Sequence, residues 1–247
     1  MTAETGMRPS SGAHEPGGAG TALPEARSVL AVVARPGDEA CYLGAVLDAF
    51  RRGGSQVSVL AFSRGDESPY NDSMEQLEVI RPFELDRAAS ALRAVHCLLA
   101  DYPEAEMRRL PTAQLAERVI RMIGEWSVDL ILTVDGRVVD RTAACVACQA
   151  GREAAVPVLG WTLPHEVAKV VREATGLSVT GDAGTRIDFE LRVARTIQRY
   201  AMSAHVSQAG GCGTQLARLE VQGDREWLRW LVPAVAEAAP AKGRRRP

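Results

Sequence analysis

The sequence predicts an α/β fold, a Rossmann-like parallel sheet with helices on both faces. Short continuous apolar runs, Val29 to Ala34, Val57 to Phe62 and Asp129 to Val134, have the length of buried strands. Stretches with helical spacing separate them, which is the pattern of βαβ units. The first run also ends in the turn-forming Arg35-Pro36-Gly37-Asp38, where a strand hands over to a helix.

Taken in order, Val29 to Ala34 reads as the first strand and Ala40 to Phe50 as the helix after it. Val57 to Phe62 is the second strand, Leu77 to Val95 a helix, and Val95 to Leu99 a short strand. Leu110 to Trp126 is amphipathic and leads into the strand Asp129 to Val134, with a further helix over Asp140 to Ala154. Residues 1–27 are rich in Gly, Pro, Ser and Ala and bury too little apolar surface to offset their ordering entropy, so they read as a disordered extension. The tail 239–247, with Arg244, Arg245 and Arg246 between prolines, reads as solvated and basic, which leaves one α/β domain over residues 28–238.

Composition narrows the function. With 46% hydrophobic and 24% charged residues the chain is globular, and its formal net charge of −2 argues against a nucleic-acid binder. No run approaches the roughly 18 apolar residues of a membrane span and no signal peptide is legible, so a cytoplasmic location is expected. The five cysteines are expected to be small packing residues; Cys145 and Cys148 form a C-x-x-C inside a helical run. Only four histidines, His14, His96, His165 and His205, are available to any metal site, whereas all but two of the 29 basic residues are arginines.

Ligands of such folds bind at the carboxyl ends of the strands, which points to residues 34–39, 63–73 and 135–141. None of these loops carries a dinucleotide or P-loop glycine pattern, and the chain has no G-x-S-x-G nucleophile elbow.

Val29 to Glu39, Gly44 and the second strand ending in Ser63-Arg64-Gly65 together resemble the PIG-L (LmbE-like) zinc N-deacetylases, whose signature is a strand followed by A-H-P-D-D-E. The likeness continues through Arg81, Glu84, Ala88, Ala89 and Leu92, the stretch Asp101 to Glu104, the strand ending at Val134, and His205-Val-Ser-Gln208, which matches a late H-x-S-Q. The resemblance implies an enzyme that removes acetyl groups from amino sugars or related conjugates. It also implies zinc held by the His and second Asp of A-H-P-D-D-E and the last His of H-x-D-H, positions that here hold Arg35, Asp38 and Arg141. The base position holds Gly37 and the intermediate-stabilising position Val138, while Asp140 is kept.

Guanidinium has no lone pair to donate and does not deprotonate near neutrality, and glycine cannot accept a proton from water. No metal and no cofactor are therefore expected. Two readings of the arginines stand side by side: Arg35 or Arg141 fills the vacated space as a partner of Asp38, or Arg35, Arg141 and Arg64 form a fork for a carboxylate or phosphate. The candidate residues are Asp38 and His205 as acid or base, with Arg35, Arg64, Asp140 and Arg141 binding the ligand. Asp66 and Glu67 read as solvated loop residues. The expected function is binding of a small anionic or amino-sugar-derived ligand, or support of a partner enzyme in specialised metabolism. The alternative is an enzyme with metal-independent chemistry or a residual amide hydrolase.

Overall fold

The computed structural model describes residues 19–65, 74–139, 141–182 and 186–234. Seven strands form one sheet in the order β3-β2-β1-β4-β5-β7-β6. They are β1 (Ser28–Val33), β2 (Gln56–Ser63), β3 (His96–Tyr102), β4 (Leu130–Val134), β5 (Val158–Thr162), β6 (Phe189–Arg192) and β7 (Arg225–Val232). The first five run parallel and β7 is antiparallel to both of its neighbours, so the sheet is mostly rather than wholly parallel.

All six residues of β1 are buried, because the strand is covered on both faces. Val29, Ala31 and Val33 pack into one layer with α2 (Gly44–Arg52), α3 (Met74–Ala91), α7 (His165–Thr175), α8 (Thr196–Met202) and α9 (Ala209–Gln222). Leu30 and Val32 face the other layer, which holds α5 (Thr112–Glu125) and α6 (Arg141–Ala154). Two short helices, α1 (Asp38–Cys41) and α4 (Glu104–Met107), follow the ends of β1 and β3. Among the described residues no helix is long and apolar enough to cross a membrane.

The chain builds outward from β1 through β2 to β3, then returns to lay β4 on the other side of β1. That reversal leaves a crevice between the carboxyl ends of β1 and β4, the place where open α/β sheets bind ligands.

Three expectations need correcting. Residues 19–27, read as part of a disordered extension, are tied down: Gly20 bridges Phe189 of β6, the Ala26 carbonyl accepts from Ser55 Oγ at 2.7 Å, and the Arg27 carbonyl accepts from the Gln56 N–H at 2.8 Å. Backbone pairing and the packing of Leu23 and Ala26 against the core supply what composition did not advertise. The third strand runs on to Tyr102, because pairing with β2 resumes at Ser63 after a bulge. Of the C-x-x-C pair, both in α6, Cys145 is exposed rather than packed, since it lies on the outward stripe of the helix. Residues 1–18 and the tail 239–247 lie outside the described residues.

Candidate active site at the end of β1

β1 delivers the chain into Ala34-Arg35-Pro36-Gly37, and α1 begins at Asp38 with Gly37 as its N-cap at φ 100°. Few side chains tolerate that backbone conformation. A Cβ at position 37 would also lie 2.7 Å from Gln208 Oε1.

Behind this loop is a buried polar cluster whose bonds follow the motifs of the sequence. Glu39 is fully buried; its Oε2 accepts the Gly37 N–H at 2.7 Å and its Oε1 accepts from His205 Nε2 at 2.6 Å. Glu84, projecting from α3, accepts the backbone N–H and the hydroxyl of Ser207, each at 2.6 Å. Gln208 donates to the Pro36 carbonyl at 2.7 Å. The H-x-S-Q stretch is thus a clamp that fastens the 3₁₀ turn Val206–Gln208 to α1, to α3 and to the loop after β1. One helical turn before Glu84, the buried guanidinium of Arg81 donates to the Arg64 carbonyl at 2.8 Å and to the Gly65 carbonyl, which secures the end of β2.

The cluster sets the charges. Burial alone would lower the pKa of His205, but the adjoining Glu39 carboxylate, helped by Glu84 and Asp38, outweighs it and holds the imidazole above its ordinary value. Its Nδ1 is buried without a hydrogen-bond partner and stands 4.0 Å from Glu84 Oε2. Asp38 is pushed up to about 6 by burial, against the pull of Arg35, with Glu39 and Glu104 adding to the rise.

Arg35 Nε lies 3.7 Å from Asp38 Oδ1, and its Nη1 lies 3.4 Å from Glu104 Oε1. On the floor, Tyr42 accepts from Gln215 at 3.2 Å, and burial raises its phenol to about 12. The fully buried Arg218 stacks 5.1 Å from the Tyr42 ring and 5.2 Å from that of Trp161. These groups enclose a cavity of about 270 Å³ lined by Arg35, Asp38, Tyr42, His205, Gln208 and Gln215, with Leu177 and Met202 as its apolar wall. Its size is just under the ~300 Å³ at which drug-sized ligand sites begin, which suits a single small molecule.

Three of the expected site residues, Arg35, Asp38 and His205, therefore meet in one cavity. Arg64 does not join them: it is bound to Asp101, whose carboxyl is held below its usual range by that hydrogen bond. Arg141 is exposed at the start of α6 and lines a different cavity, so no three-arginine fork assembles around Asp38. Asp140, Asp66, Glu67 and His14 fall outside the described residues. His96 stacks on Trp126 at 4.8 Å and His165 is exposed at the start of α7, neither in this cavity. Sequence reasoning missed Glu39 as the partner of His205; the signal was present, since Glu39 closes the first motif and His205 opens the last. Among the described residues no group of three or more His, Cys, Asp or Glu is placed to hold a metal ion.

A crevice at the β1/β4 switch point, beside the His205 clamp, puts the site where open α/β sheets bind ligands. The fold matches solved structures over most of its length. The zinc-inhibited form of teicoplanin deacetylase Orf2 aligns with a TM-score of 0.61 at 18% identity, covering 85% of this chain and all of that one. GalB, the 4-carboxy-2-hydroxymuconate hydratase from Pseudomonas putida, aligns at 0.62 and 15% identity over 86% of this chain and 99% of that one. N,N'-diacetylchitobiose deacetylase from Pyrococcus horikoshii gives 0.62 and 14% identity, covering 84% and 85% of the two chains. No curated protein matches the chain significantly by sequence. Residues 30–149, from β1 into α6, match the PIG-L family model, described as GlcNAc-PI de-N-acetylase.

Proposed function

We propose that this PIG-L-fold protein binds a small amino-sugar-like molecule in the cavity at the end of β1, without zinc. The observation that carries the reading is the state of positions 35 and 37. At 35, where the resemblance implies a zinc ligand, a guanidinium with no lone pair is engaged by Asp38 and Glu104. At 37, where it implies the general base, the chain holds a glycine at φ 100°, a conformation that strains any other side chain, and a Cβ there would displace the Gln208 amide.

Zinc at a catalytic site takes about three protein ligands. Asp38 offers one, Arg141 lines another cavity, and His205 has already committed Nε2 to Glu39. These residues do not fit the metal. The same cavity suits hydroxyl and amine groups: Asp38 accepts, Gln208 and Gln215 donate and accept, and Arg35 is already neutralised, which disfavours an anion there.

The test is metal analysis of protein purified without chelators, paired with thermal shift against glucosamine and N-acetylglucosamine. Zinc far below one per chain is expected, with a rise in Tm on adding glucosamine that Asp38→Asn abolishes. Stoichiometric zinc whose removal lowers Tm would overturn the reading.

A second reading, an enzyme with metal-independent chemistry, is favoured by the meeting of Asp38 and His205 in one cavity and by the hydratase among the proteins of similar fold. It requires turnover of a hydroxylated or N-acetylated substrate that both Asp38→Asn and Arg35→Ala abolish. Unchanged turnover in both variants would remove it.

A further inference from the structure

A second, larger cavity of about 860 Å³ opens on the layer that carries α5 and α6, on the β4 side of the switch point. Its charged lining consists of Arg137, Arg141, Arg152 and Arg229 against the carboxylates of Asp135 and Glu153. Four guanidinium groups in one concavity are out of proportion in a chain whose net charge is −2.

The four are arranged in two ways. Arg137 and Arg229 are fixed from behind. The buried Asp135 accepts the Arg137 backbone N–H at 3.0 Å and Arg229 Nε at 2.5 Å, and Asp182 accepts from Arg137 Nη2 at 2.8 Å. Two carboxylates thus neutralise two arginines and hold them in place, while only one nitrogen of each guanidinium is spent on those bonds. Each guanidinium has five N–H donors, so donors remain for a ligand.

Arg141 and Arg152 differ. They stand on one outward stripe of α6, eleven residues or about 16 Å apart along the axis, with Cys145 and Cys148 between them. Among the described residues neither forms an ion pair, and the nearby Glu153 is bonded to Gln149 at 2.9 Å.

Two preset guanidinium groups and two without an ion pair among the described residues, all facing one space, make a receptor for oxyanions, because the planar fork matches carboxylate and phosphate oxygens in pairs. The space is large enough for an organic molecule and falls within the ~300–1,000 Å³ of small-molecule sites. We propose that this cavity binds a small molecule bearing two or more oxyanionic groups, gripped by Arg141 and Arg152 in front and by Arg137 and Arg229 behind. The proposal is independent of the ligand assigned to the first cavity. It gives Arg141 an anion-binding role away from Asp38.

Isothermal titration of the full chain with inorganic pyrophosphate, and separately with citrate, at low ionic strength tests it. One-to-one binding tighter than about 1 mM is expected for at least one of the two. Tighter pyrophosphate binding assigns the site to phosphorylated ligands, tighter citrate binding to polycarboxylates. Arg141→Gln and Arg152→Gln should each weaken the bound anion by roughly tenfold, as loss of a charge-assisted hydrogen bond implies. Arg192→Gln, which removes a remote exposed arginine paired with Asp224, should leave it unchanged. Bound anion should also slow alkylation of the exposed Cys145, which lines the same cavity. No binding of either anion at about 1 mM, or equal weakening in all three variants, would overturn the site.

Discussion

The two cavities on either side of the β1/β4 crevice use arginine in opposite ways. At the end of β1, Arg35 is spent: two carboxylates hold it, and the groups around it form a closed network reaching from Glu39 through His205 towards Glu84. In the cavity beyond β4, Arg141 and Arg152 form no ion pair among the described residues, Asp135 and Asp182 are occupied with Arg137 and Arg229, and Glu153 is bonded to Gln149. The same residue type at two positions where the resemblance implies metal ligands thus has two fates. A guanidinium beside buried acids becomes part of the structure, whereas one on an exposed helix stripe stays available. Sequence position alone does not distinguish these cases, because the neutralising partner comes from a distant segment: Glu104 lies on α4 and Asp182 beyond α7.

This contrast can be broken most forcefully at Glu39. Glu39→Leu removes the acceptor of both Gly37 N–H and His205 Nε2 and leaves a buried imidazole facing Glu84 and Asp38. Urea denaturation at pH 7 should record a loss of about 3–5 kcal/mol, the usual cost of orphaning one member of a buried ion pair. A loss under 1 kcal/mol would mean that the network is not structural.

Asp38→Asn sharpens the contrast with an effect of opposite sign. The folded-state pKa of Asp38 is raised from 3.8 to about 6, so the stability it contributes is present below about pH 4 and lost as pH rises through 6. An asparagine carries no such penalty. At pH 8 the variant should be more stable by up to about 3 kcal/mol, with the gain disappearing near pH 4, as read from Tm across that range. His205, also raised, contributes stability below about 6.5 that is lost as pH climbs through its higher folded value, so the parent should keep weakening above neutrality. A variant less stable than the parent at pH 8 would show that Asp38 is held in place for folding rather than for its site.

The smallest effect belongs to the other cavity. Arg141→Gln and Arg152→Gln touch exposed side chains with no ion pair among the described residues, and each should change unfolding free energy by no more than about 0.5 kcal/mol. A larger loss in either would place that arginine in the same structural class as Arg35.

Much of the fold was legible because its signals are local. β1, β2 and β4 are continuous apolar runs, and the structure buries them on both faces as such runs require. What escaped was non-local. β7, rich in tryptophan and arginine, inserts antiparallel between β5 and β6, and no periodicity announces which neighbour a strand will choose. The site divides in the same way. Arg35, Asp38 and His205 could be gathered from motif resemblance. The partner of His205 was within reach of the same motifs but was missed; the separation of Arg141 from Asp38 was not legible, because it depends on how the segments after β1 and β4 turn away from each other.

The bridge between Gly20 and Phe189 has a further consequence. β6 is the last strand of the sheet, and an open strand edge offers unpaired backbone groups to any other chain. Gly20 donates to the Asp188 carbonyl at 2.7 Å and accepts from Glu190 at 2.9 Å, so the segment before β1 acts as a selvedge along the sheet's outer border. Trimming the chain to the start of β1 would make that margin sticky and strip the Leu23 and Ala26 packing from the core, so solubility and stability should fall together.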